Sequence, residues 1–133
     1  MPDTTRLIDN NPLADRFTQA IAEADMATMR EIYTADAIIW HCTDAVELSV
    51  DELDALLTAI GRVSTCSVDV LTRQATTAGF VQTQVNTYAL KAGGEVVLRC
   101  ALLVTSDGAH ISRVDEYLDG IALAPLIDAL QAA

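Results

Sequence analysis

The sequence has 133 residues and a mass of 14.2 kDa, a length that fits one domain and leaves little room for a second. Apolar residues make up 51% of it, enough for a sizeable core and too many for general disorder. Asp and Glu number 19 against 8 Lys and Arg, giving a net charge of −11. That balance excludes the basic surface by which nucleic acid or an anionic membrane is bound. The longest apolar run, Val96 to Val104, is interrupted by Arg99, and nothing approaches the roughly 20 apolar residues of a bilayer span. Met1 to Asn10 is polar and acidic, without the apolar centre of a signal peptide. Cys42, Cys66 and Cys100 lack metal-ligand spacing, and their odd count fits a reducing compartment. These features predict an acidic cytoplasmic protein without nucleic-acid or membrane partners.

Met1 to Asn10 has no period and reads as a flexible lead-in to one domain over 11–133. Asn11-Pro12 is a helix start, with Asn as cap and Pro in the first turn. Leu13, Phe17, Ala20, Ile21 and Ala24 follow at helical spacing. Asp25 caps a second, short helix carrying Met26, Met29, Ile32 and Tyr33. Ala37 to Cys42 is β-branched and aromatic, a strand by composition, and Thr43 to Leu48 reads as a loop. Ser49-Val-Asp-Glu52 is a capping box. It opens a helix whose buried face is Leu53, Leu56, Leu57 and Ile60, with Gly61 as its stop. Four strands follow, Val63 to Leu71, Phe80 to Leu90, Glu95 to Val104 and His110 to Leu118. Turns at Ala92-Gly-Gly94 and Ser106-Asp-Gly108 join the last three into a meander. Asp119-Gly120 ends it and Ile121 to Leu130 closes the chain as a helix. The order predicts an α+β fold with helices on one face of a curved antiparallel sheet.

Two stretches carry a resemblance. Asp25 to Tyr33 followed by Ala35-Asp-Ala-Ile-Ile-Trp-His41, and the closing Arg113-Val-Asp-Glu-Tyr-Leu-Asp119, resemble the SnoaL-like branch of the nuclear-transport-factor-2-like superfamily. The resemblance implies a cone-like sheet wrapped around a deep pocket, a homodimer, and relatives that include ketosteroid isomerases, limonene-epoxide hydrolases and polyketide cyclases. Matched to the isomerases, His41 falls on the general base, whereas the oxyanion-hole positions fall on Phe17 and Ala101, whose side chains donate no hydrogen bond. Matched to the epoxide hydrolases, Glu116 falls on one carboxylate, but the Arg and second Asp fall near Val85 and Thr87. Neither activity keeps its full residue set.

The resemblance also implies which residues face the pocket, since strand residues two apart share a face. Ile39 and His41 point inward, as do Ser112, Val114, Glu116 and Leu118 on the last strand and Val97, Arg99 and Ala101 on the third meander strand. Phe17, Tyr33, Ile39, Val97, Ala101, Val114 and Leu118 then line an apolar ligand site into which His41, Glu116 and Arg99 converge. His41 is read as general base, Glu116 as the acid that orients or partners it, and Arg99 as the group holding an enolate or carboxylate. The competing reading makes His41 a hydrogen-bonded strand residue and pairs Glu116 with Arg99 in a cross-strand salt bridge. Trp40 and Asp115 take the opposite face, and Gln82, Gln84, Asn86 and Tyr88 carry the outer face to an interface. The cysteines read as small core residues. No cofactor or metal is expected, and the partner is a small apolar or amphipathic organic molecule. Three functions stay open: cofactor-independent acid–base catalysis, ligand carriage or sensing, and a dimeric interaction module with a vestigial pocket.

Overall fold

A computed structural model of the chain describes residues 7–133; the part of the lead-in from Met1 to Arg6 lies outside the described residues. Helix α1 runs Asn11–Glu23 and takes Asn10, one residue earlier than expected, as its cap position. Asn10 does not cap with its side chain; the Asp9 carboxylate accepts from the Asn11 N–H at 2.9 Å instead. Asn10 is buried. Its amide donates to the Gly79 carbonyl at 3.3 Å and accepts from the Ser106 hydroxyl at 2.7 Å, tying the start of α1 to the sheet. Ala24 ends α1 in the left-handed conformation. Asp25 then caps α2 (Met26–Ile32), accepting from the Thr28 N–H at 3.1 Å.

Strand β1 (Tyr33–His41) leaves α2 without a loop, and β2 (Glu47–Leu48) is a two-residue strand inside the expected loop. Helix α3 (Val50–Val63) opens on the complete Ser49–Glu52 capping box. Its Gly61 lies within the last turn rather than stopping it; the helix ends at Ser64, whose N–H and hydroxyl both reach the Ile60 carbonyl. Strands β3 (Ser64–Ala75), β4 (Gly79–Leu90), β5 (Glu95–Ser106) and β6 (Ile111–Tyr117) form the meander, and Asp119 caps α4 (Gly120–Ala132).

One six-stranded sheet results, in the order β2-β1-β6-β5-β4-β3. It is curved and unclosed. It is mixed rather than wholly antiparallel: β1 pairs with β6 in parallel, while every other pair is antiparallel. A strand that reaches its neighbour only after a long excursion through other elements is free to arrive in the parallel sense. All four helices pack on one face. One apolar cluster joins Phe17, Ile32, Tyr33, Ile39, Phe80 and Leu102, and a second joins Tyr88, Val96, Leu98, Cys100 and Leu126.

Two strands present faces opposite to those expected. On β5, Val96, Leu98, Cys100, Leu102 and Val104 are buried against the helices, and Val97, Arg99 and Ala101 lie on the outer face. The inward set is apolar throughout, so burial selects it over a set containing a guanidinium. On β4, Phe80, Gln82, Gln84, Asn86 and Tyr88 face inward, and Val85 and Thr87 face out. Gln82, Gln84 and Asn86 therefore form no outer interface. Where β6 pairs with Thr105 and Ser106 of β5 the register shifts, which leaves Ser112 exposed beside the buried Ile111 and Val114.

Candidate functional site

Between the two apolar clusters lies a cavity of about 460 Å³, with α3 and α4 on one side and β1, β4, β5 and β6 on the other. Leucines and isoleucines form most of its wall: Leu53, Leu56, Leu57 and Ile60 from α3, and Leu123, Leu126, Ile127 and Leu130 from α4. Phe17, Tyr33, Ile39, Val114 and Leu118, read from the sequence as ligand-lining, are all in that wall. Phe17 meets Tyr33 edge-on at 6.4 Å between ring centroids. Val97, Ala101 and Arg99 are not there: they lie on the far side of β5, where Val97 is 52% exposed. The expected Arg99–Glu116 salt bridge does not form, since Arg99 pairs across the sheet with Val85 while Glu116 pairs with Leu102.

His41 and Glu116 do meet. The parallel β1–β6 register sets them opposite each other, with His41 Nε2 3.8 Å from Glu116 Oε1. Both side chains are largely covered, at 20% and 16% exposure, and both line the cavity. The backbone around them is clamped. Cys42 donates its N–H to the Glu116 carbonyl at 3.0 Å, and the Ala45 N–H closes a turn onto the His41 carbonyl at 3.0 Å. Ala45 reaches that turn with φ 56°. The Cys42 thiol donates to the Leu118 carbonyl and accepts the Leu118 N–H, each at 3.3 Å, so the strand ends cannot splay.

Burial raises the Glu116 carboxyl above the ordinary carboxylate range, and the nearby His41 works against that rise without cancelling it. Burial also pushes the Cys66 thiol up to about 11 and the Cys100 thiol to about 12, so neither is a thiolate at neutral pH. Among the described residues no three His, Cys, Asp or Glu side chains gather as a metal site requires. The arrangement offers one imidazole and one buried carboxyl in a greasy chamber, the equipment for moving a proton. Asn86, Tyr88 and Leu98 also line it, and the sequence reading missed all three as site residues. On β5 the alternation Val96-x-Leu98-x-Cys100 was the available signal; on β4 there was none, because the inward face is the polar one.

The Glu116 shift carries a sign for stability. The folded state holds a proton that the unfolded state releases between the two pKa values, so stability falls as pH rises through that window. Glu116→Gln removes the effect. Urea midpoints of variant and parent should diverge in the variant's favour as pH rises from the ordinary glutamate range through the raised Glu116 value; a gap that stays constant with pH contradicts the shift.

No family model and no curated protein matches the sequence. Solved structures do. PrhC from Penicillium brasilianum NBRC 6234 superposes with a TM-score of 0.80 at 14% identity, over 91% of this chain and 87% of its own. An NTF2-like protein from Burkholderia xenovorans LB400 gives 0.73 at 16% identity, over 92% and 98%. An LEH-like epoxide hydrolase from M. tuberculosis gives 0.72 at 15%, over 91% of both chains. Likeness at such identities is a likeness of fold: the chain has the α+β cone fold of the SnoaL-like, nuclear-transport-factor-2-like proteins.

Proposed function

We propose that the protein takes a small, mostly apolar organic molecule into the cavity and performs cofactor-independent acid–base chemistry on it, of the isomerase, cyclase or hydrolase kind. The observation that carries this reading is the His41–Glu116 pair, 3.8 Å apart in a mostly apolar chamber. His41 is the base, taking a proton from a carbon acid or from water at Nε2. Glu116, whose carboxyl burial raises above the ordinary carboxylate range, gives its proton to the oxygen or carbon on which charge develops. The pair begins as imidazole and carboxylic acid and ends as imidazolium and carboxylate, neutral overall at both stages. No net charge is therefore created in the low-dielectric site, and proton return from His41 to Glu116 resets it. Phe17, Tyr33, Ile39, Val114 and Leu118 hold the ligand; Arg99 takes no part.

The SnoaL-like cyclases and the epoxide hydrolase among the structural neighbours support catalysis by this fold in general. Neither residue set expected for a steroid isomerase or a limonene-epoxide hydrolase is present. At the oxyanion-hole positions stand Phe17 and Ala101, and Ala101 lies on the outer sheet face. In this reading a second copy of the chain covers that outer face, where Val97, Leu103 and Tyr117 are 52%, 42% and 45% exposed and Trp40 stacks edge-on against Tyr117.

Nitrobenzisoxazole, which opens to a coloured phenolate when a base removes its single ring C–H proton, is a suitable probe of the base. The protein should accelerate the opening over buffer, and His41→Ala should lower the rate on the order of 100-fold with the circular dichroism spectrum unchanged. An equal rate in the two proteins removes His41 from the mechanism. If saturation-transfer NMR detects the bound probe but no acceleration follows, the carrier reading replaces the catalytic one. Light scattering should give twice the chain mass, and Leu103→Glu the single mass; a monomeric parent contradicts the dimer.

A further inference from the structure

The inner face of β4 holds a row of polar side chains where the neighbouring strands hold apolar ones. Gln82 and Gln84 are fully buried and Asn86 nearly so, which is costly unless their amides are bonded. They are bonded in one direction. Arg73 Nε donates to Gln82 Oε1 at 2.8 Å, Gln82 Nε2 to Gln84 Oε1 at 2.7 Å, Gln84 Nε2 to Asn86 Oδ1 at 2.7 Å, and Asn86 Nδ2 to the Tyr88 hydroxyl oxygen at 3.3 Å.

Both partners of Gln82 fix that direction. A guanidinium only donates, so Gln82 must turn its oxygen to Arg73. Thr18 spends its hydroxyl proton on the Ala14 carbonyl at 2.8 Å and can only accept, so Gln82 must turn its nitrogen to Thr18 Oγ1 at 2.9 Å. Each later amide then has one orientation open to it, and the row delivers an N–H to the Tyr88 oxygen. The Tyr88 proton is left to donate elsewhere. Among the described residues its hydrogen bond goes to the Cys66 sulfur, a partner that a carbonyl oxygen displaces readily. Cys66, directly across on β3, offers a thiol, a weak acceptor. Tyr88 lines the cavity together with Asn86 and Glu116.

We infer that the Tyr88 hydroxyl is the cavity's oxygen-recognising donor, and that the ligand class is carbonyl compounds whose oxygen accepts its proton. The inference rests on the reading of the cavity as a small-molecule site. Hydrogen bonds in a row polarise one another, and this row begins at a cation, so the phenol at its end is a stronger donor than an isolated one. Burial raises the Tyr88 pKa, which keeps the proton on the oxygen at neutral pH. An enolate formed when His41 removes a proton beside the carbonyl would carry its charge where this donor waits.

The test uses acetonaphthone and isopropenylnaphthalene, isosteres in which a methylene replaces the carbonyl oxygen. Dissociation constants for both are measured on the parent protein, Tyr88→Phe and Gln84→Met. The preference for the ketone over the alkene should fall about ten-fold in Tyr88→Phe, with alkene binding unchanged, and by less in Gln84→Met, where the donor remains but its row is cut. The infrared carbonyl stretch of acetonaphthone bound to the parent protein needs no variant. It should lie below the value in hexane. Binding of both compounds with a hexane-like stretch, or with a preference unaltered in Tyr88→Phe, overturns the inference and leaves the cavity a ligand site. If neither compound binds, the cavity reading and the inference fall together.

Discussion

The parallel pairing of Tyr33–His41 with Ile111–Tyr117 brings together two ionisable residues from opposite ends of the chain. The acid–base chemistry proposed for the cavity depends on it. An isolated carboxyl buried among leucines stays protonated, and an isolated imidazole stays neutral, because neither charge is solvated there. A proton passed from one to the other leaves their total charge unchanged, so the apolar wall that penalises each ion alone penalises the pair less. The contacts that fix the register serve this pairing: Cys42 to the Glu116 backbone, the reciprocal Cys42–Leu118 bonds, and the turn at Ala45 that closes on the His41 carbonyl. They hold two strand ends that in a shorter ladder would fray.

The second constraint is the polar row on β4. Four polar side chains in succession face the helices, and the fold accepts them because their hydrogen bonds close from Arg73 at one end to Tyr88 at the other. Arg73 itself is held by the Asp15 carboxylate at 2.8 Å, so the row is anchored to α1 as well as to β3. Among the described residues the one buried side-chain polar atom without a partner is the Thr34 hydroxyl. A satisfied row of this kind fixes strand register more tightly than apolar packing alone, since a one-residue slip would strand every amide.

These two strands explain how far the sequence could be read. The capping box at Ser49–Glu52, the Asp25 cap and the glycine turns rest on local hydrogen bonds, and local residues reveal them. The positions of His41 and Glu116 were legible because the resemblance covered both strands. On β5 the apolar alternation from Val96 to Val104 was present in the sequence, but the facing carried over from the resemblance pointed to Val97, Arg99 and Ala101, and the buried set overrules it. On β4 alternation points the wrong way, since Val81 and Val85 look like the inward set. Only the three-dimensional closure of the amide row, through Thr18 and Arg73, makes the polar face the buried one. The leucines of α3 were visible as an apolar face, yet nothing local shows that this face borders a cavity rather than solid core.

The most direct test of the account is a carbon-13 NMR titration of the Glu116 side-chain carboxyl in the parent protein and in His41→Gln. The account predicts a midpoint above those of the exposed carboxylates in the parent, because burial disfavours the charge, and a higher one in the variant, because the imidazole that favours the carboxylate is gone. A Glu116 carboxyl that titrates with the surface acids and does not respond to the loss of His41 would contradict it, and with it the proton-exchanging pair.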